Sequence, residues 1–146
     1  MSGIVVGVDG SAHAQDALDW AMREATLRRA EVRVLTVVPA MASPWTGQPL
    51  GVPEGKEAVE HARRIAQDAV AKAASESGDP QPPAVAISAF AGFPAQALID
   101  ASREADLVVV GARGAGGFAT LMLGSVSQQV AHHAACPVVI VPASRA

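Results

Sequence analysis

The sequence has few of the residues that would tie it to a disulfide scaffold or to a nucleic acid. Cys136 is the only cysteine, which excludes an internal disulfide framework and suits a reducing compartment. Three Phe, two Trp and no Tyr leave few platforms for stacking on nucleic-acid bases. The formal net charge of −3 also gives no broad basic surface. We therefore expect no nucleic-acid partner.

Long hydrophobic runs are absent too, since none approaches the roughly 20 residues that a membrane span requires. The first apolar segment, at 4–8, begins without the basic region and cleavage site of a secretory leader. We therefore expect a cytoplasmic protein without a membrane partner. The 146 residues match one compact domain, and no repeat or change of composition divides 1–146.

What the sequence does contain is a regular alternation of strand and helix patterns. Apolar, mostly β-branched segments predict five strands, at 4–8, 32–38, 85–90, 107–110 and 137–141. Amphipathic patterns predict helices after Ser11, at about 57–77, after Pro94 and at 125–134. This alternation predicts a doubly wound α/β fold, an open parallel sheet with helices on both faces.

Two connecting segments carry further expectations. Ser11 is predicted to cap the first helix. Residues 39–55, with four of the ten prolines, are predicted to form a long loop. Trp45 in this loop either folds over a ligand, meets a partner or packs on the domain.

The glycine-rich stretch after the fourth strand is the best candidate for the working part of the chain. It reads Gly111-x2-Gly114-x9-Gly124-Ser125, with Gly124-Ser125 opening a predicted helix. Glycine lets the backbone approach a phosphate, and a helix N-terminus offers unpaired N–H groups to an anion. No Gly-Lys-Ser/Thr follows, so this is not a P-loop. The dinucleotide fingerprint follows a first strand, not a fourth.

This spacing resembles the ATP-binding motif of the universal stress protein family. The segments Ile4-Val-Val-Gly-Val-Asp9-Gly-Ser11 and Cys136-Pro-Val-Val-Ile-Val141 resemble the opening and closing strands of that family. The resemblance covers essentially the whole chain. It implies the strand order 3-2-1-4-5, which makes the first and fourth strands neighbours and places Asp9 and Gly111 on one crevice.

The resemblance also implies roles for individual residues. Asp9 and the backbone at Val37-Val38 would hold the adenosine end of ATP. The ribose and phosphates would be lined by Gly111, Gly114, Gly124 and Ser125, followed by Val126 and Ser127. Mg²⁺ is expected on the phosphates, with no metal ligands from the protein.

Each of these residues also has a plainer interpretation. A glycine after a strand often serves a turn, and Asp9 could do so ahead of Gly10. Arg113 either neutralises phosphate or is a solvated loop side chain. Ser125 could be the helix cap, using the same N–H groups as a ligand.

The remaining reactive side chains give no catalytic or metal site. His132 and His133 are adjacent on a helix, so they point about 100° apart and do not readily share an ion. His13 and His61 belong to separate predicted helices. Cys136 has no base arranged for it, which favours a packing role.

Four functions follow from these observations. The leading one is an ATP-binding regulator of the stress response that works through nucleotide occupancy. The others are a weak ATPase, a sensor of another adenine nucleotide such as cyclic AMP, and a scaffold that leaves the pocket unused. The resemblance also implies a homodimer through 138–141, an apolar edge without charge or inner proline.

Overall fold

The computed structural model describes residues 3–42, 45, 49–51, 55–113 and 123–142. Its elements run in the order β1 (Ile4–Gly7), α1 (Ala12–Arg28), β2 (Val32–Pro39), β3 (Met41–Ala42), β4 (Pro49–Gly51), α2 (Gly55–Ser77), β5 (Val85–Gly92), α3 (Pro94–Ser102), β6 (Leu107–Gly111), α4 (Ser125–His133) and β7 (Val138–Val141).

Five parallel strands form the main sheet, in the order β5-β2-β1-β6-β7. Numbered by the five predicted strands, this is the order 3-2-1-4-5, so the predicted fold is confirmed. The order reverses at β1, which lies between β2 and β6. Ligands of open α/β sheets bind beyond the carboxyl ends of the strands at such a point.

Side chains alternate across the strands and build one apolar layer on each face of the sheet. Ile4, Val6 and Val8 point to the face covered by α1 and α2. Val5, on the other face, packs with Leu98 of α3 and with residues of α4. The central strands are therefore buried on both sides, which explains why they read as continuous apolar runs.

The predicted loop at 39–55 is in part a strand pair. Met41–Ala42 and Pro49–Gly51 form a short antiparallel ribbon. The helix that follows begins at Gly55, two residues before its predicted start. Prolines and glycines did not exclude pairing here, because proline is tolerated at the first position of a strand. Among the described residues, no helix is long and apolar enough to cross a membrane.

Candidate functional site

The crevice between β1 and β6 brings two helix N-termini to the same edge of the sheet. α1 follows β1 through the turn at Asp9, and α4 begins beyond β6. β1 pairs directly with β6, from Ile4 opposite Leu107 to Val6 opposite Val109. The sequence expectation that Asp9 and Gly111 flank one crevice is therefore confirmed at the level of the strands that carry them.

The N-terminus of α1 is capped by its own chain. The hydroxyl of Ser11 accepts a hydrogen bond from the N–H of Ala14 at 3.1 Å, which confirms the predicted cap. Asp9 Oδ1 in turn accepts from the Ser11 N–H at 3.0 Å and from its hydroxyl at 2.6 Å. The carboxylate of Asp9 thus holds the turn, and its exposed position leaves it accessible from the crevice.

The N-terminus of α4 differs, because its N-cap residue has no side chain with which to cap it. Its N-cap residue is Gly124, and among the described residues no side chain bonds to its first N–H groups. Ser125 is the first helical residue, so the alternative that Ser125 is the cap is wrong. Its exposed hydroxyl accepts a hydrogen bond from the Gln129 side chain at 3.0 Å. The backbone N–H groups of the first turn therefore keep the anion-binding capacity of a helix N-terminus.

A compact set of hydrogen bonds closes the segment between β6 and α4. The Gly124 N–H donates to the Ala112 carbonyl at 2.7 Å. The buried Ser127 hydroxyl lies 2.9 Å from the carbonyl oxygens of both Ala112 and Gly124. This hydroxyl is thus engaged with backbone, and the N–H of Ser127 is the group that can contact a ligand. Gly114 lies outside the described residues.

Gly111 is needed for close packing between β6 and α1. A Cβ at this position would lie 2.9 Å from the carbonyl oxygen of His13 and 3.1 Å from its Cβ. Neither of the two expected roles, a turn or a phosphate contact, included this packing constraint, in which a backbone contact excludes a larger residue whatever the ligand. The sequence pattern contained no signal for His13, whose Nδ1 is buried and has no hydrogen-bond partner among the described residues.

Val37 and Val38 lie in the part of β2 that extends beyond the end of its pairing with β1. The pairing of β1 with β2 ends at Gly7 opposite Leu35, whereas β2 continues beside β5 to Pro39. The Leu35 carbonyl faces β1, since it accepts from the Val8 N–H at 2.9 Å. Backbone direction alternates along a strand, so Val37 also turns its N–H and C=O toward the crevice and Val38 turns them toward β5. Val37 therefore offers backbone groups to a ligand, and Val38 offers only a side chain.

Metal-binding clusters and the cysteine thiol are not brought to the site in the part of the chain that the structure describes. There, no three or more His, Cys, Asp or Glu side chains are grouped to hold a metal ion. Burial raises the pKa of the Cys136 thiol, which lies at the opposite end of the sheet from Asp9. The arrangement can therefore bind an anion next to a carboxylate.

Comparison with known proteins identifies the architecture. The model of the universal stress protein family matches residues 1–142. Universal stress protein Rv2623 of Mycobacterium tuberculosis is 35% identical over 139 residues, which cover 95% of this chain and 47% of that protein. A universal stress protein of Mycolicibacterium smegmatis is 36% identical with the same coverage. The chain thus spans about half the length of these curated relatives.

Solved structures agree over nearly the whole chain. UspA from Lactobacillus plantarum superposes with a TM-score of 0.75 at 27% identity, covering 96% of this chain and 97% of that one. A universal stress protein crystallised in complex with cAMP gives a TM-score of 0.66 at 28% identity, covering 98% of both chains.

Proposed function

The chain belongs to the universal stress protein family, and on that premise we propose that it binds an adenine nucleotide and regulates a stress response through its occupancy. The observation that carries the proposal is the N-terminus of α4, where no described side chain caps the helix and which lies at the carboxyl edge of the sheet, as does Asp9 just after β1. The relative crystallised with cAMP supports an adenine nucleotide as the ligand class.

Two groups of residues would divide the nucleotide between them. Asp9, the backbone of Val37 and the side chain of Val38 would hold the adenosine end, because carboxylates and free backbone groups suit ribose hydroxyls. The phosphates would meet a row of backbone N–H groups and small residues, with Arg113 neutralising charge: Gly111, Gly114, Gly124, Ser125, Val126 and Ser127.

We propose ATP as the ligand in preference to cyclic AMP. A helix N-terminus joined to a glycine-rich segment and an arginine offers more anion-binding groups than a single cyclic phosphate requires. The uncapped first turn of α4 fits a phosphate group, which supplies the acceptors that Gly124 lacks. Mg²⁺ would be held by the phosphates, which are its usual ligands in nucleotide sites.

Occupancy is favoured over turnover because phosphoryl transfer needs an oriented water and charge stabilisation beyond one arginine. Among the described residues, the carboxylate nearest the proposed adenosine end is Asp9, and it already accepts two hydrogen bonds from Ser11. We therefore propose a binder rather than an ATPase.

Thermal melts with ATP, ADP, AMP and cyclic AMP, each with and without Mg²⁺, test the proposal directly. A ligand at 100 times its dissociation constant stabilises the folded state by about 2.7 kcal/mol. We expect the largest shift with ATP and Mg²⁺. Absence of a shift with every nucleotide at millimolar concentration would leave only the scaffold function.

We also propose a cytoplasmic homodimer through β7. All four β7 residues are partly exposed, and in the described part of the chain this strand pairs only with β6. The carbonyls of Pro137 and Val141 accept bonds from β6 and Ala112, so Ile140 between them turns its N–H to the open edge.

Light scattering over a concentration series tests the dimer. Ile140→Pro removes one outward donor without removing a bond to β6, so we expect monomers that keep the wild-type far-ultraviolet circular dichroism. A wild-type chain that stays monomeric at micromolar concentration would contradict the proposal.

A further inference from the structure

Strand β5 is covered by a helix on only one of its two faces. α2 packs on the face that carries Val85 and Ile87, and both side chains join the apolar layer under α1 and α2. On the opposite face, α3 packs on β2, β1 and β6, and α4 packs on β7. Ala86 and Phe90 of β5 are exposed there. Doubly wound sheets normally carry helices on both faces, so this face of β5 is left uncovered in the part of the chain that the structure describes.

We call this uncovered surface the β5 shelf, formed by Ala86, Ser88 and Phe90 together with Arg33 of the neighbouring strand β2. Arg33 pairs with Ala86 on one side and with Val5 on the other. Val5 belongs to the apolar layer under α3, so the alternation of side chains along a strand places Arg33 on the same face. The shelf is therefore apolar at Ala86 and Phe90 and carries a cation beside Ala86.

Arg33 is the only charged residue that the five strands of the main sheet place on this face. It is half-buried, and its guanidinium has no hydrogen bond or ion pair with any described residue. A purely apolar cover would bury this charge without compensation, which is costly, whereas a carboxylate in the cover would pair with it. The charge therefore specifies a cover that is apolar except for one acidic group.

We propose that the β5 shelf docks an amphipathic helix of a partner protein, which presents apolar side chains to the strand and one acidic residue to Arg33. Ala86 and Phe90 are four strand residues apart, about 13 Å at 3.3 Å per residue, and a helix covers that span with about nine residues. α3, which covers the neighbouring strands, has nine residues. Phe90 and Phe93, each 39% exposed, supply the aromatic surface that anchors protein contacts.

The charge also distinguishes a partner helix from other occupants. A second copy related by a two-fold axis through the shelf would bring the two Arg33 side chains toward each other, and like charges repel. A nucleic acid or an anionic membrane requires several cations, and this face of the strands offers only one among apolar residues. A helix with a single acidic residue matches both the charge and the apolar surface.

The test selects partners from a library of helices displayed on a stable helical-bundle scaffold, because a nine-residue helix does not persist alone in water. One face of the displayed helix varies among apolar residues, and its middle position varies among Glu, Gln and Lys. We expect the wild-type chain to enrich Glu and the charge-reversal variant Arg33→Glu to enrich Lys. Equal enrichment of the three residues by the wild-type chain, or selection of no helix at all, would overturn the proposal.

The selected Glu-containing helix then serves as the probe for affinity measurements by fluorescence anisotropy. Arg33→Gln should weaken binding about tenfold through loss of a charge-assisted contact, and Ala86→Lys should abolish it by placing a charged chain on the apolar shelf. Arg103→Gln is the matched control, because this exposed arginine follows α3 and lies outside the strands, and it should leave the affinity unchanged.

Far-ultraviolet circular dichroism of each variant verifies that the fold is retained. A helix that binds Arg33→Gln and Ala86→Lys as tightly as the wild-type chain occupies another surface, which would also refute the inference. The measurements use the chain without nucleotide, so their outcome is independent of the function proposed above.

Discussion

The hydroxyl of Ser127 in α4 lies 2.9 Å from the carbonyl oxygen of Ala112, fifteen residues earlier in the chain. The same carbonyl accepts the N–H of Gly124 at 2.7 Å. The two ends of the segment between β6 and α4 are therefore held together by the first turn of the helix, in the part of the chain proposed to bind phosphate.

Ser127→Ala should loosen this closure, since it removes a buried hydroxyl whose one proton is shared between the Ala112 and Gly124 carbonyls. We expect a loss of about 1 kcal/mol in the free energy of unfolding, measured by urea denaturation. Ser125→Ala is the matched control, because that hydroxyl is exposed, and we expect a change within about 0.5 kcal/mol. Equal losses in the two variants would contradict the structural role of Ser127.

Gly111→Ala should destabilise the fold even without nucleotide. The new Cβ would lie 2.9 Å from the His13 carbonyl oxygen, so α1 and β6 must move apart, at a cost of about 1–3 kcal/mol. The melting temperature of the unliganded protein measures this. Gly92→Ala is the control, because its Cβ would meet its nearest atoms at 3.8 Å. A wild-type melting temperature in Gly111→Ala would show that the glycine serves only a ligand.

Gly124→Asp should stabilise α4 and at the same time prevent its N-terminus from binding phosphate. Gly124 has φ −70° and ψ 163°, which any residue adopts, so an aspartate side chain can cap α4. We expect the unliganded chain to gain a few tenths of a kcal/mol and the ATP-dependent melting shift to vanish, because the carboxylate repels phosphate and bonds the same N–H groups. Gly124→Ser, which caps without charge, should keep part of the shift. A full shift in Gly124→Asp would place the phosphates elsewhere.

Cys136 should react slowly with iodoacetamide. Burial raises the pKa of its thiol, the Val108 backbone partly offsets this, and the charge of Asp106 raises it further. Because the folded-state pKa exceeds the unfolded one, the folded thiol holds less reactive thiolate, and this contribution to stability is lost as the pH rises through the folded-state pKa. The alkylation rate between pH 8 and 9.5, with and without urea, measures the difference. Equal rates would contradict it.

Much of the fold could be predicted because its signals are local. Apolar runs such as Ile4 to Val8 and the cap at Ser11 depend on neighbours a few residues away. The approach of Gly111 to His13 joins residues nearly a hundred positions apart, and no periodicity encodes it. The resemblance assigned a backbone contact with the ligand to Val37 and Val38 alike, because hydropathy does not show which backbone groups face an open edge.

The sequence predicted which residues belong to the candidate site better than it predicted what each of them does there. The glycine spacing indicated an anion site, and the helix begins at Ser125 as predicted, which leaves Gly124 rather than Ser125 as its N-cap.

One residue, Ala112, connects the proposed phosphate site with the proposed dimer interface of the regulator. Ala112 donates its N–H to the Val141 carbonyl at the end of β7 and accepts the Gly124 N–H that closes the phosphate segment. If nucleotide binding tightens that closure, it also tightens the edge strand proposed as the dimer interface. Thermodynamic reciprocity then requires that dimerisation raise nucleotide affinity by the same factor by which nucleotide raises the dimer association constant. The response to nucleotide would therefore depend on how much of the protein the cell contains.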